Sequence, residues 1–245
     1  MTLVITGAAH GLGRALAVEA RANGNEVLAV DFDGEALAEL NSPSLTLDLT
    51  AEDTAAQIAH AAPISGIIHC AGISGTGKFE DIPKSHHQKI LNLNFEAPLK
   101  ITCALLAAGA MDTKAVHAFV GSLSTFTGYP GAVSYAASKD GLASFARSLD
   151  KALPGGQRAA CIFPGPMATE HAARYAPENS AKTVAARLDP NQAAKLILRD
   201  LDRGKRTIIP GAKARTLATL GRIAPGVMGR LLRHGLYEKM DQTRL

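Results

Sequence analysis

Tryptophan is absent from the 245 residues, tyrosine occurs four times and phenylalanine seven. So few rings exclude the stacking platform that single-stranded nucleic acid needs. Cysteine is scarce too: Cys70, Cys103 and Cys161 stand far apart in apolar surroundings. No C-x-x-C or Cys/His spacing is present, so no metal site is expected. The three read as buried, reduced thiols of a cytoplasmic protein. No run of 18 apolar residues occurs, so no membrane span is expected. "MTLVITG" enters a strand at once, without the basic segment and apolar stretch of a signal peptide. No linker composition and no internal repeat is visible.

What is there is ordinary for a globular chain: 47% hydrophobic and 20% charged residues. The length suits one α/β domain with a substantial core. Short apolar runs at 3–7, 26–31, 45–48, 65–71, 115–121, 158–163 and 206–209 predict seven strands. Helical spacing fills the gaps: 12–24, 51–62 with Thr50 as N-cap, 87–111 in spite of Pro98, 134–152 and 191–204. Strands alternating with helices predict βαβ units and a doubly wound parallel sheet in three α/β/α layers. Ligands of such sheets sit at the carboxyl ends of the strands. The expected organisation is a catalytic domain over 1–211 and a basic helical tail over 212–245.

The first strand runs into "TGAAHGLGRA". Gly7, Gly11 and Gly13 permit a tight turn and a close ligand approach. The helix that opens there presents free N–H groups and a positive dipole end to a pyrophosphate. His10, Leu12 and Arg14 share this loop. Asp31 ends the second strand about twenty residues after Gly13, where a carboxylate can accept from an adenosine ribose. It would repel a 2′-phosphate, so NAD(H) is the expected cofactor; the basic His10 and Arg14 keep NADP(H) open. Asp48, with Leu49, ends the third strand and is placed to bond an adenine amino group or to cap the next segment of the chain.

"SYAASK" puts Tyr135 one helical turn before Lys139. An ammonium beside a phenol favours the phenolate and draws its pKa down from about 10. Such a tyrosine can give or take a proton near neutrality. Ser122 lies thirteen residues earlier, at a strand end, and Asn94 sits in the long helix before it.

With these residues the sequence resembles the classical short-chain dehydrogenase/reductase family. TGxxxGxG at 6–13, Asp31, Ala71-Gly72, Asn94, Ser122, YxxxK at 135–139, and Pro164-Gly165 with Thr169 come in the family's order. The resemblance implies a Rossmann-type domain, a homodimer or homotetramer built on helices 87–111 and 134–152, and an Asn94-Ser122-Tyr135-Lys139 tetrad. It makes Tyr135 the general acid/base and Ser122 the group that orients the substrate oxygen. Lys139 would lower the tyrosine pKa and hold the nicotinamide ribose, while Asn94 would support a proton relay through water. Pro164, Gly165 and Thr169 would meet the nicotinamide. One departure is His69-Cys70 where the family commonly has two asparagines; His69 reads as a satisfied interior histidine.

Substrate contacts are expected from loop 123–134, with Ser124, Phe126 and Tyr129, and from a lid over 166–190, with Met167, His171 and Tyr175. Neither segment announces a charged clamp, so a moderately apolar alcohol or ketone is expected. From Lys195 to Leu245 there are 12 Lys/Arg against 4 Asp/Glu. Two tail helices broken at Pro225 would pack an apolar face (Val227, Met228, Leu231, Leu232, Leu236) on the domain and leave their charges solvated. Two other readings stay open: a nucleotide-binding scaffold on the same fold, and a peripheral membrane reductase of lipid-like substrates held by the tail. Nucleic-acid binding is not expected.

Overall fold

The computed structural model describes residues 1–169, 187–235, 237–240 and 242–245, without the side chain of Lys239. Seven strands form one parallel sheet in the order β3-β2-β1-β4-β5-β6-β7. They are β1 Thr2–Thr6, β2 Glu26–Asp31, β3 Ser44–Thr46, β4 Ile64–His69, β5 Met111–Val120, β6 Arg158–Ile162 and β7 Thr207–Ile208. The order reverses between β1 and β4, and the cleft opens there.

Alternation along the strands builds a core on each face. Ile5, Ala29, Ile68, Val120 and Ile162 point to one face, against α1 (Gly11–Ala22) and α8 (Pro190–Asp202). Val4, Val30 and Ile67 point to the other, with Ile101 and Leu105 of α5 (Ala97–Ala107). There too Phe119 and Cys161 meet Leu142 and Ala146 of α7 (Val133–Ala152). The other α-helices among the described residues are α2 (Gly34–Ala38), α3 (Thr54–Ala59), α4 (Lys84–Leu91), α6 (Ser124–Thr127), α9 (Ala212–Ile223) and α10 (Pro225–Gly235).

Several boundaries differ from expectation. β5 begins four residues early, across a register irregularity opposite Ile64 and Gly66. Thr50 caps no helix: its hydroxyl donates to Asp48 Oδ1 at 2.7 Å, and α3 starts only at Thr54. Asp48 therefore lies in a turn beyond β3 rather than at its end. The short α2 had no periodicity to announce it; Asp33 caps it by accepting from Ala36 N at 3.1 Å.

The long helix spans Lys84–Ala107 and is long and apolar enough, by length and composition, to cross a bilayer. Here it packs Ile90, Ala97, Ile101 and Leu105 inward. Its outer face exposes Cys103, contrary to the expectation of three buried thiols. A π turn at Asn92–Glu96 joins α4 to α5, with Ala97 N–H reaching back to Asn92 O. Pro98 comes next, and it has no N–H to close an α-helical bond onto the carbonyl of Asn94. That is how the helix tolerates Pro98, and it places the irregular turn at Asn94.

Candidate active site

One cleft, ≈ 2010 Å³, runs along the carboxyl ends of the strands. It exceeds the roughly 300–1,000 Å³ of a drug-sized pocket and has room for a dinucleotide and a substrate together.

Its first end is the glycine loop. Gly7 has φ +69°, and a Cβ on Gly13 would lie 1.9 Å from Gly7 O. The loop therefore closes tightly on itself, and only glycine fits at position 13. His10 occupies the N-cap of α1 with no side-chain capping bond, so no side chain covers the first-turn N–H groups from that position. Thr169 faces this loop, since a Cβ on Gly11 would lie 3.2 Å from its methyl group. Gly7, His10, Gly11, Leu12, Gly13, Asp31, Asp48, Leu49, Ala71, Gly72, Pro164, Gly165 and Thr169 all line the cleft.

Asp31 is buried and tied down. Its Oδ2 accepts from Ala9 N at 3.0 Å, and its Oδ1 accepts from Phe32 N at 2.8 Å and Asp33 N at 3.2 Å. The nearby basic side chains are committed to carboxylates: His10 Nε2 lies 2.8 Å from Asp33, and Arg14 lies 3.3 Å from Glu39. Asp33 is held below the usual carboxylate range by the Ala36 N–H and by His10. At Asp48, the Thr50 hydroxyl and N–H likewise lower the carboxyl pKa.

At the other end, Ser122, Tyr135 and Lys139 line the same cleft. Lys139 is buried; its Nζ donates to Val120 O at 2.8 Å and lies 5.8 Å from the Tyr135 ring centroid. Burial lowers its pKa to about 8. The expected lowering of Tyr135 by Lys139 is not found here. Burial raises the phenol, and the opposing pull is its hydrogen bond with Ser122. The physical reason is that Lys139 is directed at the Val120 carbonyl and is itself costly to charge when buried.

Asn94 stands behind the cleft wall, fully buried. Its Oδ1 accepts from Ile73 N at 2.9 Å, while Nδ2 donates to Ile73 O at 2.9 Å and Ser138 Oγ at 3.1 Å. Gly72 is wedged between them: a Cβ there would lie 3.0 Å from Asn94 Oδ1 and 3.3 Å from Lys139 Nζ. Asn94 thus positions the 72–73 wall rather than facing the cleft.

His69 is buried at the end of β4, 3.1 Å from Thr102 Oγ1 and stacked on Phe119 at 5.0 Å. Burial, helped by His117, lowers its pKa to about 3, so it is a neutral interior group. Cys70 beside it is pushed up to about 12 by burial.

On the substrate side the expectations divide. Ser124, Tyr129 and Met167 line the cleft, and the buried Ser124 Oγ has no hydrogen-bond partner among the described residues. Phe126 does not reach it: the ring packs on Phe163 at 4.9 Å and lies 4.3 Å below the Arg222 guanidinium. His171 and Tyr175 lie outside the described residues. Leu217, Leu231 and Leu232 were missed; the tail brings them to the cleft, together with Arg187 from the lid segment. Helix α9 docks on α6 so closely that a Cβ on Gly221 would meet Phe126 O at 2.4 Å. Helix α10 fully buries none of its residues: of the expected apolar face Val227 and Leu231 are exposed, Met228 and Leu232 are half-buried, and Leu236 lies outside the described residues. The last residues return as a bridge between Arg244 and Thr76. Among the described residues no group of three or more His, Cys, Asp or Glu is placed to hold a metal.

The family model for short chain dehydrogenase matches residues 1–180. An uncharacterised oxidoreductase of Bacillus subtilis (strain 168) is 28% identical over 190 residues, covering 72% of this chain and 78% of the relative. Two solved structures share the fold. A short-chain dehydrogenase of Burkholderia cenocepacia J2315 in complex with NADP has TM-score 0.79 at 21% identity, covering 94% of this chain and 96% of its own. A short-chain dehydrogenase/reductase of Burkholderia phymatum in complex with NAD has TM-score 0.77 at 19% identity, covering 89% and 92%. With the glycine cradle, the seven-stranded sheet and the Ser-Tyr-Lys cluster on one cleft, these matches make the chain a member of the classical short-chain dehydrogenase/reductase family of oxidoreductases.

Proposed function

We propose that this oxidoreductase prefers NAD(H) and interconverts a secondary alcohol and a ketone, with Tyr135 as general acid/base. The observation that carries the reading is continuity: the glycine loop, Asp31, Ser122, Tyr135 and Lys139 all line one cleft. The residues present fit a dinucleotide. The cradle at Gly7 and Gly13 leaves no room for a Cβ at position 13, and uncovered N–H groups of α1 open onto it. When bound, the nicotinamide supplies or accepts the hydride.

The chain's own residues handle the proton. In the reducing direction the Tyr135 hydroxyl gives its proton to the substrate oxygen; in the oxidising direction the phenolate takes it back. Ser122, hydrogen-bonded to Tyr135, orients that oxygen. Lys139, its pKa lowered by burial to about 8, can pass a proton on near neutrality. Asn94 acts at one remove, by holding Ile73 and Ser138.

The preference for NAD(H) rests on charge. Asp31, Asp33 and Glu39 line the first end of the cleft, and the basic side chains there, His10 and Arg14, are already paired. A 2′-phosphate would meet that acidic wall. The test is the unfolding midpoint with NADH and with NADPH, and then Tyr135→Phe. A larger rise with NADH is expected, since a ligand of the folded state adds RT ln(1 + [L]/Kd). The variant should lose turnover and keep the NADH rise. Retained turnover in Tyr135→Phe would refute the role, and a larger rise with NADPH would refute the preference.

A further inference from the structure

Arg187 is the charged group on the substrate side that the chemistry above does not use. It lines the cleft, and its Nε is shut off from solvent with no hydrogen-bond partner among the described residues. Among those residues it forms no ion pair either. A shielded guanidinium donor without a partner is costly and calls for an explanation.

The backbone around it is fixed. Leu188, the next residue, bridges to Met167, with Leu188 N donating to Pro166 O at 3.2 Å and Ala168 N donating to Leu188 O at 3.1 Å. One residue further, Asp189 caps α8 by accepting from Gln192 N at 2.9 Å. The backbone next to Arg187 is therefore held by a bridge and a helix cap, which lowers the entropic cost of positioning a side chain that lines the cleft.

Its neighbours place it on the substrate wall. Its charge acts on the Tyr129 phenol, and Tyr129 in turn acts on Tyr135. The apolar Leu217, Leu231 and Leu232 line the same cleft. A cation and apolar side chains on the cleft that also holds the reacting group describe an amphipathic ligand.

We propose that Arg187 anchors an oxyanion on the substrate, a carboxylate or a phosphate, whose apolar chain lies against Leu217, Leu231 and Leu232. This rests on the oxidoreductase reading above and narrows it from an apolar alcohol or ketone to one that carries an anionic group. Bidentate pairing with a planar or tetrahedral oxyanion is the geometry a guanidinium fork is built for.

The experiment titrates the full chain with octanoate, octyl phosphate and octanamide, with and without NADH, and reads Kd from the unfolding midpoint. Parent, Arg187→Met and Arg187→Lys are compared. One anion should bind the parent about tenfold or more tighter than the amide, as for a hydrogen bond to a charged group. The better of the two anions identifies the oxyanion. The preference should vanish in Arg187→Met and return in part in Arg187→Lys, and the NADH rise should be the same in all three. The proposal is overturned if the three probes bind alike, if none binds, or if the preference survives in Arg187→Met. A loss of NADH binding in Arg187→Met would place the side chain against the cofactor and overturn it too. Failure of the oxidoreductase reading shows separately, as a parent that NADH does not stabilise.

Discussion

Replacing Lys139 with methionine should flatten the pH dependence of stability and abolish turnover. The ammonium is buried, and burial lowers its pKa from an ordinary 10.5 to about 8. The sign comes from proton counting. Between these values the unfolded chain binds more protons than the folded one, so stability rises with pH and is lost as pH falls towards 8. At 1.36 kcal/mol per pH unit the full gap costs the folded state about 3 kcal/mol. Nearly all of it is present at pH 7, and less than about 1 kcal/mol remains at pH 10. Cys70 and Cys161, both pushed up to about 12, stay thiols in both proteins and cancel in the comparison. The Val120 carbonyl loses its donor in the variant, which offsets the two curves by a constant. The assay is urea unfolding at pH 7, 8, 9 and 10 with matched m-values. The stability difference between parent and variant should change by about 2–3 kcal/mol across that range. Parallel curves would refute the reasoning, because they would mean that Lys139 titrates normally. A buried cation retained at this cost is expected where function needs it.

His69→Asn should act at the other end of the pH scale. With the histidine pKa lowered to about 3, the parent loses stability below pH 6.5, and by pH 5 the variant should have gained about 2 kcal/mol on it relative to pH 8; an unchanged difference in urea unfolding would show that His69 protonates in place. Gly13→Ala drives a Cβ into Gly7 O, so the turn must open. It should cost about 1–3 kcal/mol and remove the NADH-induced rise in midpoint, and a variant that binds NADH normally in calorimetry would contradict the close packing. Leu231→Ser with Leu232→Ser strips the apolar wall of the cleft from a helix with no buried residues. Steady-state kinetics with 2-octanone should show KM raised about tenfold, with kcat and stability nearly unchanged.

The repeating pattern of the chain determined most of the fold by itself. Apolar runs of four to eight residues between helical stretches allow little but a parallel sheet with helices on both faces, and all seven strands lie where those runs are. The glycine loop, Asp31, Ser122 and YxxxK were legible for the same reason: each depends on residues close in sequence, at a strand end or one helical turn apart. Boundaries were less so. β5 starts early because its first residues pair across an irregularity, and α2 exists because Asp33 caps it, a contact with no periodicity behind it.

Tertiary structure alone decided what depends on distant residues meeting. It turned Phe126 away from the cleft into a stack with Phe163 and Arg222, and brought Leu217, Leu231 and Leu232 of the tail onto the substrate wall. It paired His10 and Arg14 with Asp33 and Glu39, which a count of basic residues near the loop could not foresee. Lys139 was directed at Val120 O, so that burial outweighs charge at Tyr135. Arg187 Nε was left without a hydrogen-bond partner among the described residues, at the substrate end. Sequence spacing fixes which face of an element a residue occupies; which partner it finds there, and how much water reaches it, is set by elements that the chain brings together from far apart.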